Sequence, residues 1–166
     1  MSVKAVVREK NLIGYPQDGK KDDFWWGKSG KYISIVHYAG KDSDIQIPSQ
    51  IDGYTITGIL DRAFWDERYK LTSVNIPESI TSIGKLAFAN NRLSEITIPD
   101  SVNFIGEFAF SNNPLAKVTI GANAETHGIS DDNWGGFISI YGSNNRKAGT
   151  YIFTGGIWTF NSCNEN

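Results

Sequence analysis

The tripeptide Gly27-Lys28-Ser29, the polar run Asp131-Asp132-Asn133, two histidines and one cysteine are where this chain could do chemistry. Gly27-Lys28-Ser29 matches the end of a G-x-x-x-x-G-K-[ST] loop, whose backbone N–H groups cradle phosphate while the lysine reaches across it. The glycine that must open such a loop is Asp22 here, and Trp25 and Trp26 fill its interior. A carboxylate and two indoles leave no cradle for an anion. Asp131-Asp132-Asn133 starts like a calcium loop, which needs oxygen ligands at alternate positions and a bidentate glutamate at its twelfth. Gly135 and Gly142 stand at the fifth and twelfth positions, so the run reads as a polar surface turn.

His37 and His127 lie in separate flanks, with no metal-ligand spacing to each other or to Cys163. One cysteine excludes a disulfide framework, and Cys163, three residues from the end, reads as a tail thiol. Asp66-Glu67 are adjacent carboxylates on a charged stretch and read as solvated. The chain has no Gly-x-Ser-x-Gly elbow. These residues call for no catalytic centre, no metal and no cofactor, and the chain is read as a non-enzyme.

The elements that would position any site are set by repetition. Ile76 to Thr97, IPESITSIGKLAFANNRLSEIT, is followed without a gap by Ile98 to Thr119, IPDSVNFIGEFAFSNNPLAKVT, and eleven positions are identical. A fixed period of this length, with apolar residues at set positions, specifies a solenoid in which each repeat adds one strand and one turn. An earlier, longer copy runs from Ile47 to Asn75, its extra residues falling at Ile51 to Thr55 and between Phe64 and Leu71. A partial copy begins at Ile120. The expected organisation is therefore an N-terminal flank and β cap over 1–46, repeats over 47–123 (47–75, 76–97, 98–119 and a partial copy from 120), and a C-terminal β cap and tail over 124–166.

Within each repeat the pattern L-x-x-[IV]-x-I, as in Leu93 to Ile98, alternates with period two, which sends one set of side chains into a core and the next outward. Ser73, Asn75, Glu95, Thr97, Lys117 and Thr119 are thus expected along the concave face of a short parallel sheet. The I-G-x-x-A-F segment predicts a sharp bend at Gly84 and Gly106, then a one-turn helix or 3₁₀ segment that stacks Phe64, Phe88 and Phe110 into a spine. Asn90-Asn91 and Asn112-Asn113 suit the return turn. The fold class is an α/β repeat solenoid of about three to four repeats, since a lone repeat burying about six apolar side chains needs a neighbour on each side.

Both flanks are rich in aromatics. Phe24-Trp25-Trp26, a turn at Gly27 to Gly30 and Tyr32 to Tyr38 predict a β-hairpin. Phe137 to Tyr141, Thr150 to Phe153 and Ile157 to Phe160 predict further strands. The rings serve either as caps over the solenoid ends or as a platform for a sugar or protein partner. A net charge of −2 with interspersed signs excludes a nucleic-acid or anionic-membrane footprint. The apolar runs fall far short of the roughly 20 residues of a membrane span. Met1 to Lys10 carry no export-signal pattern.

The consensus I-P-x-S-[IV]-x-x-I-G-x-x-A-F-x-N-N-x-L-x-x-[IV]-T resembles the BspA-like, or Treponema-type, leucine-rich repeat family. The lead-in Ile33 to Asp42, Ile47-Pro48 and Ile51 to Tyr54, and the element Asn144 to Tyr151 through Gly156 to Thr159, resemble it too, so that the likeness covers residues 31 to 160. The resemblance implies a bacterial secreted or cell-surface protein without active site or cofactor, an adhesin-like module that engages host protein, extracellular matrix or other bacteria. The alternative is a self-associating structural protein or a carrier of an apolar ligand. Trp65 and Tyr69, aromatic residues on an insertion without an assigned core slot, are expected as binding residues beside the outward strand positions.

Overall fold

The computed structural model describes residues 18–65, 71–126 and 137–161. The chain winds as a β-solenoid of about four turns. Its strands form two walls. The first is an eight-stranded sheet. It starts with the hairpin strands β1 (Gly19–Lys21), β2 (Phe24–Ser29) and β3 (Tyr32–Tyr38). It continues through β6 (Tyr54–Ile59), β8 (Ser82–Ile83), β10 (Phe104–Ile105) and β12 (Glu125–Thr126), with β5 (Gln50–Ile51) paired to β6. From β3 to β12 every pairing along this path is parallel.

The second wall holds β4 (Asp44–Gln46) and β7 (Ser73–Asn75), a parallel pair. Beside β7 come β9 (Glu95–Ile98) and β11 (Lys117–Ile120), also parallel. The antiparallel hairpin β13 (Gly149–Thr154) and β14 (Ile157–Asn161) completes it. Pro99 directly follows β9 and Pro77 lies two residues past β7, where a missing N–H no longer costs a ladder bond.

The core lies between the walls. Ile59, Ile83 and Ile105 from the first wall and Ile96, Ile98, Val118 and Ile120 from the second are all buried, as the period-two pattern requires. The phenylalanine spine forms. Phe64 and Phe88 stack at 4.8 Å and 10°, and Phe88 and Phe110 at 5.2 Å and 10°. Tyr38 stacks on Phe64 and Phe24 packs on both, so the N-terminal hairpin supplies the first rings of the column.

The bend in each repeat departs from expectation in two ways. It contains no helix or 3₁₀ turn: Ala87 N–H bonds Gly84 C=O and Ala89 N–H bonds Leu86 C=O, with Leu86 itself at φ 58°. These are two successive turns joined through a left-handed residue, repeated at Phe108 (φ 59°) and Arg62 (φ 58°). The glycine is also not the residue that bends the chain. A Cβ on Gly84 would lie 2.6 Å from Asp61 N, and one on Gly106 2.6 Å from Lys85 N. Glycine stands there because the backbone of the preceding turn passes too close for any side chain.

A third correction concerns Phe137 to Tyr141, expected as a strand. It forms α1 (Phe137–Ser143), the one α-helix among the described residues. Phe137 and Tyr141, four apart, are both buried and stack at 5.8 Å, a helical spacing that the alternating Ile-Ser-Ile between them obscured. Phe137 meets Trp158 and Tyr151 edge-on, closing the core at that end.

Candidate functional site

The outward positions of the second wall fall into two rows. In β4 and β7 Asp44 pairs with Ser73 and Gln46 with Asn75, and across β9, β11, β13 and β14 the registers Glu95, Lys117, Ile152, Thr159 and Thr97, Thr119, Thr150, Asn161 are continuous; β7 lies beside β9, with Ser73 and Asn75 one 22-residue repeat before Glu95 and Thr97. Of the six strand residues expected to face outward, Ser73, Asn75, Glu95, Thr97 and Lys117 are exposed and Thr119 is half-buried. The rows bring all six onto one face.

Side chains in these rows bond to each other across the strands. Asn75 Nδ2 donates to Gln46 Oε1 at 2.8 Å, and the Thr119 and Thr150 hydroxyls lie 3.0 Å apart. Lys117 Nζ meets Glu95 Oε2 at 3.3 Å, with both side chains more than half exposed. Such a pair is worth about 0–1 kcal/mol, so either partner can trade it for a ligand group at little cost. The face is polar and close to neutral, with hydroxyls and amides at strand spacing. It can hydrogen-bond a partner but offers no nucleophile held against a base.

Trp65 is half-buried and its N–H bonds Arg62 C=O, which ties its backbone to the bend between the walls rather than to the rows. Tyr69 lies outside the described residues, as do Asp66-Glu67, Asp131 to Gly136, His127 and Cys163. Gly27-Lys28-Ser29 is in β2: Lys28 N–H donates to Asp18 Oδ2, and its Nζ bonds the Tyr54 hydroxyl at 2.7 Å while lying 4.1 Å from the ring centre. Among the described residues no three His, Cys, Asp or Glu side chains group to hold a metal ion.

Two sets of residues behind this face escaped the sequence reading. Asn91, buried, accepts from Leu71 N–H at 2.9 Å and donates to the Phe64 and Phe88 carbonyls at 3.1 and 2.9 Å. Asn113 repeats this one turn later on Leu93, Phe88 and Phe110. The second asparagine of each pair is therefore a rung between turns, while the first, Asn90 or Asn112, takes the left-handed turn conformation. The signal was present in the strict recurrence of both asparagines, but a turn explained only one of them. The rows also gain Thr150, Thr159 and Asn161 from strands outside the repeats, which no repeat pattern could mark, and Gln46, which the repeat does mark, since Ile45-Gln46-Ile47-Pro48 has the form of Val74-Asn75-Ile76-Pro77.

Tyr141, fully buried, donates its hydroxyl to Gly121 C=O at 2.5 Å. Burial pushes its phenol up to about 12, with the neighbouring Tyr151 adding to the shift. Tyr151 is likewise raised by burial. Both phenols serve the C-terminal end of the core and not the outward rows.

The sequence matches the model of the BspA type leucine rich repeat region (6 copies) over residues 43–131, more than half of the chain. Among solved structures it is similar to a leucine rich cell surface protein from Faecalibacterium prausnitzii A2-165, with 31% identity and a TM-score of 0.55. That match covers 64% of this chain and 33% of the other, so the chain spans about a third of that protein. It is also similar to a leucine-rich repeat protein from Bacteroides capillosus ATCC 29799, at 26% identity and a TM-score of 0.59, over 70% of this chain and 90% of that one. Among curated proteins none matches. With the repeat, the two walls and the phenylalanine spine in agreement, the chain belongs to the BspA-type leucine-rich repeat family.

Proposed function

We propose that this chain is a non-catalytic protein-binding module of a bacterial surface or secreted adhesin-like protein, and that it engages host protein or extracellular matrix. The observation that carries the reading is the pair of in-register polar rows on the second wall. A rigid sheet backed by a stacked core presents replaceable side chains at fixed spacing, and holding them in place beforehand lowers the ordering cost of binding. Repeat proteins of this family are in general protein-interaction modules, and the Faecalibacterium relative is described as a cell surface protein. Among the described residues no helix is long and apolar enough to cross a membrane. The residues proposed to contact the partner are Ser73, Asn75, Glu95, Thr97, Lys117 and Thr119, with Trp65 and Tyr69 as aromatic anchors.

The test is binding of the purified chain to immobilised matrix proteins and host surface proteins, beside a Thr97→Lys variant and a Trp65→Ala, Tyr69→Ala double variant. Saturable binding that Thr97→Lys abolishes, with an unchanged melting temperature, is the expected result. Binding that survives Thr97→Lys but is lost in the aromatic double variant would move the site to Trp65 and Tyr69. A well-folded chain that binds nothing on the panel would overturn the proposal.

A further inference from the structure

The two ends of the solenoid are stepped in opposite senses. At the N-terminal end the hairpin strands β1 and β2 extend the first wall, whereas at the C-terminal end β13 and β14 extend the second. Among the described residues β4 pairs only with β7 and β14 only with β13, while β7 lies beside β9 without a ladder pairing to it, so β4 and β14 stand at the two ends of the second wall. The two strands also agree in direction. Two antiparallel pairings separate β14 from β11, so β14 runs as β11 and β9 do, and β4 runs parallel to β7, their equivalent in the preceding repeat.

β14 also matches the side chains of the strand that β4 already accepts. β7 offers Ser73-Val74-Asn75, with Ser73 opposite Asp44 and Asn75 opposite Gln46. β14 offers Thr159-Phe160-Asn161, again a hydroxyl, an inward apolar residue and an asparagine, with the hydroxyl and the amide exposed. Thr159 and Asn161 lie in register with Glu95 and Thr97, and these are the repeat equivalents of Ser73 and Asn75, which pair with Asp44 and Gln46. β14 carries no charged residue, although end strands are ordinarily guarded by charge, as β1 is by Lys20 and Lys21.

From these features we propose that the chain associates head to tail with a second copy of itself, β14 of one molecule adding in parallel to β4 of the next. Thr159 then lies beside Asp44 of the neighbour and Asn161 beside its Gln46, repeating the Asn75–Gln46 amide pair of the fold. The contact is heterologous, because each copy contributes a different end, so association does not stop at a dimer but extends into a row of molecules that prolongs the second wall.

Sedimentation of the full chain across a wide concentration range tests this. The expected result is an average mass that climbs from the 18.4 kDa monomer past the dimer without a plateau. Thr159→Glu, which faces Asp44 of the neighbour with a like charge, should weaken association several-fold, because like charges directly opposed across strands destabilise the pairing. Adding Asp44→Lys to the same chain should restore it. A mass constant at the monomer value, a plateau at the dimer, or a Thr159→Glu chain that associates like the parent would overturn the proposal, as would a folded double variant that stays monomeric.

Discussion

At the scale of single residues, the second asparagine of the repeat carries more of the fold than any charged group. Asn91 satisfies one N–H and two carbonyls that belong to two different turns. Truncating it leaves Leu71 N–H and Phe64 C=O without this partner, while Phe88 C=O keeps its bond from Asn113, and each unsatisfied group costs about 1–3 kcal/mol. Asn91→Ala should therefore lower stability by about 3 kcal/mol in urea unfolding, while Asn112→Ala, on the exposed outer edge, should cost about 1 kcal/mol or less. Tyr141 makes a second prediction. Its folded-state pKa of about 12 lies above the ordinary tyrosine value of 10.0, so its contribution is fully present below pH 10 and is lost as pH climbs toward 12. Tyr141→Phe should flatten that alkaline decline, and stability measured between pH 9 and 12 reads it out.

At the scale of elements, the spacing between successive turns is set by backbone against backbone. Gly84 and Gly106 sit where a Cβ would come 2.6 Å from a backbone nitrogen of the turn before. Gly106→Ala should force adjacent turns apart, disturb the Phe88–Phe110 stack and cost about 1–3 kcal/mol, with a lowered midpoint in thermal unfolding. The repeat strands of the second wall, the spine and the N-terminal hairpin were legible in the sequence because period two and recurring Ala-Phe pairs are local signals, whereas β8 and β10 of the first wall, two residues each, are too short to show a period and the expectation of one strand per repeat missed them. The bend was not, since Leu86 and Phe108 take left-handed angles that neither residue type favours and only packing imposes. Helix α1 was hidden for a related reason, two isoleucines inside a segment whose helical period rests on Phe137 and Tyr141. Most residues of the outward rows were readable from the repeat itself. Thr159 and Asn161 were not, because strand pairing alone brings them into line with Glu95 and Thr97.

At the scale of the whole molecule, the core is one continuous column from Phe24 to Trp158, with the repeats in its middle and the hairpins at its ends. Each turn shares its buried surface with the next, so local damage reaches the whole stack, and the outward face is held rigid by this backing rather than by its exposed Lys117–Glu95 pair. The asparagine rungs give this column a polarity. Leu71 N–H is satisfied by Asn91 and Leu93 N–H by Asn113, in each case by a residue 20 positions later in the chain. At both of these rungs a backbone N–H is thus satisfied by the turn that follows it. On the ribosome a newly emerged turn must wait for about one further repeat of synthesis before its backbone is satisfied, so closure travels from the N-terminus in repeat-sized steps and always trails the growing end.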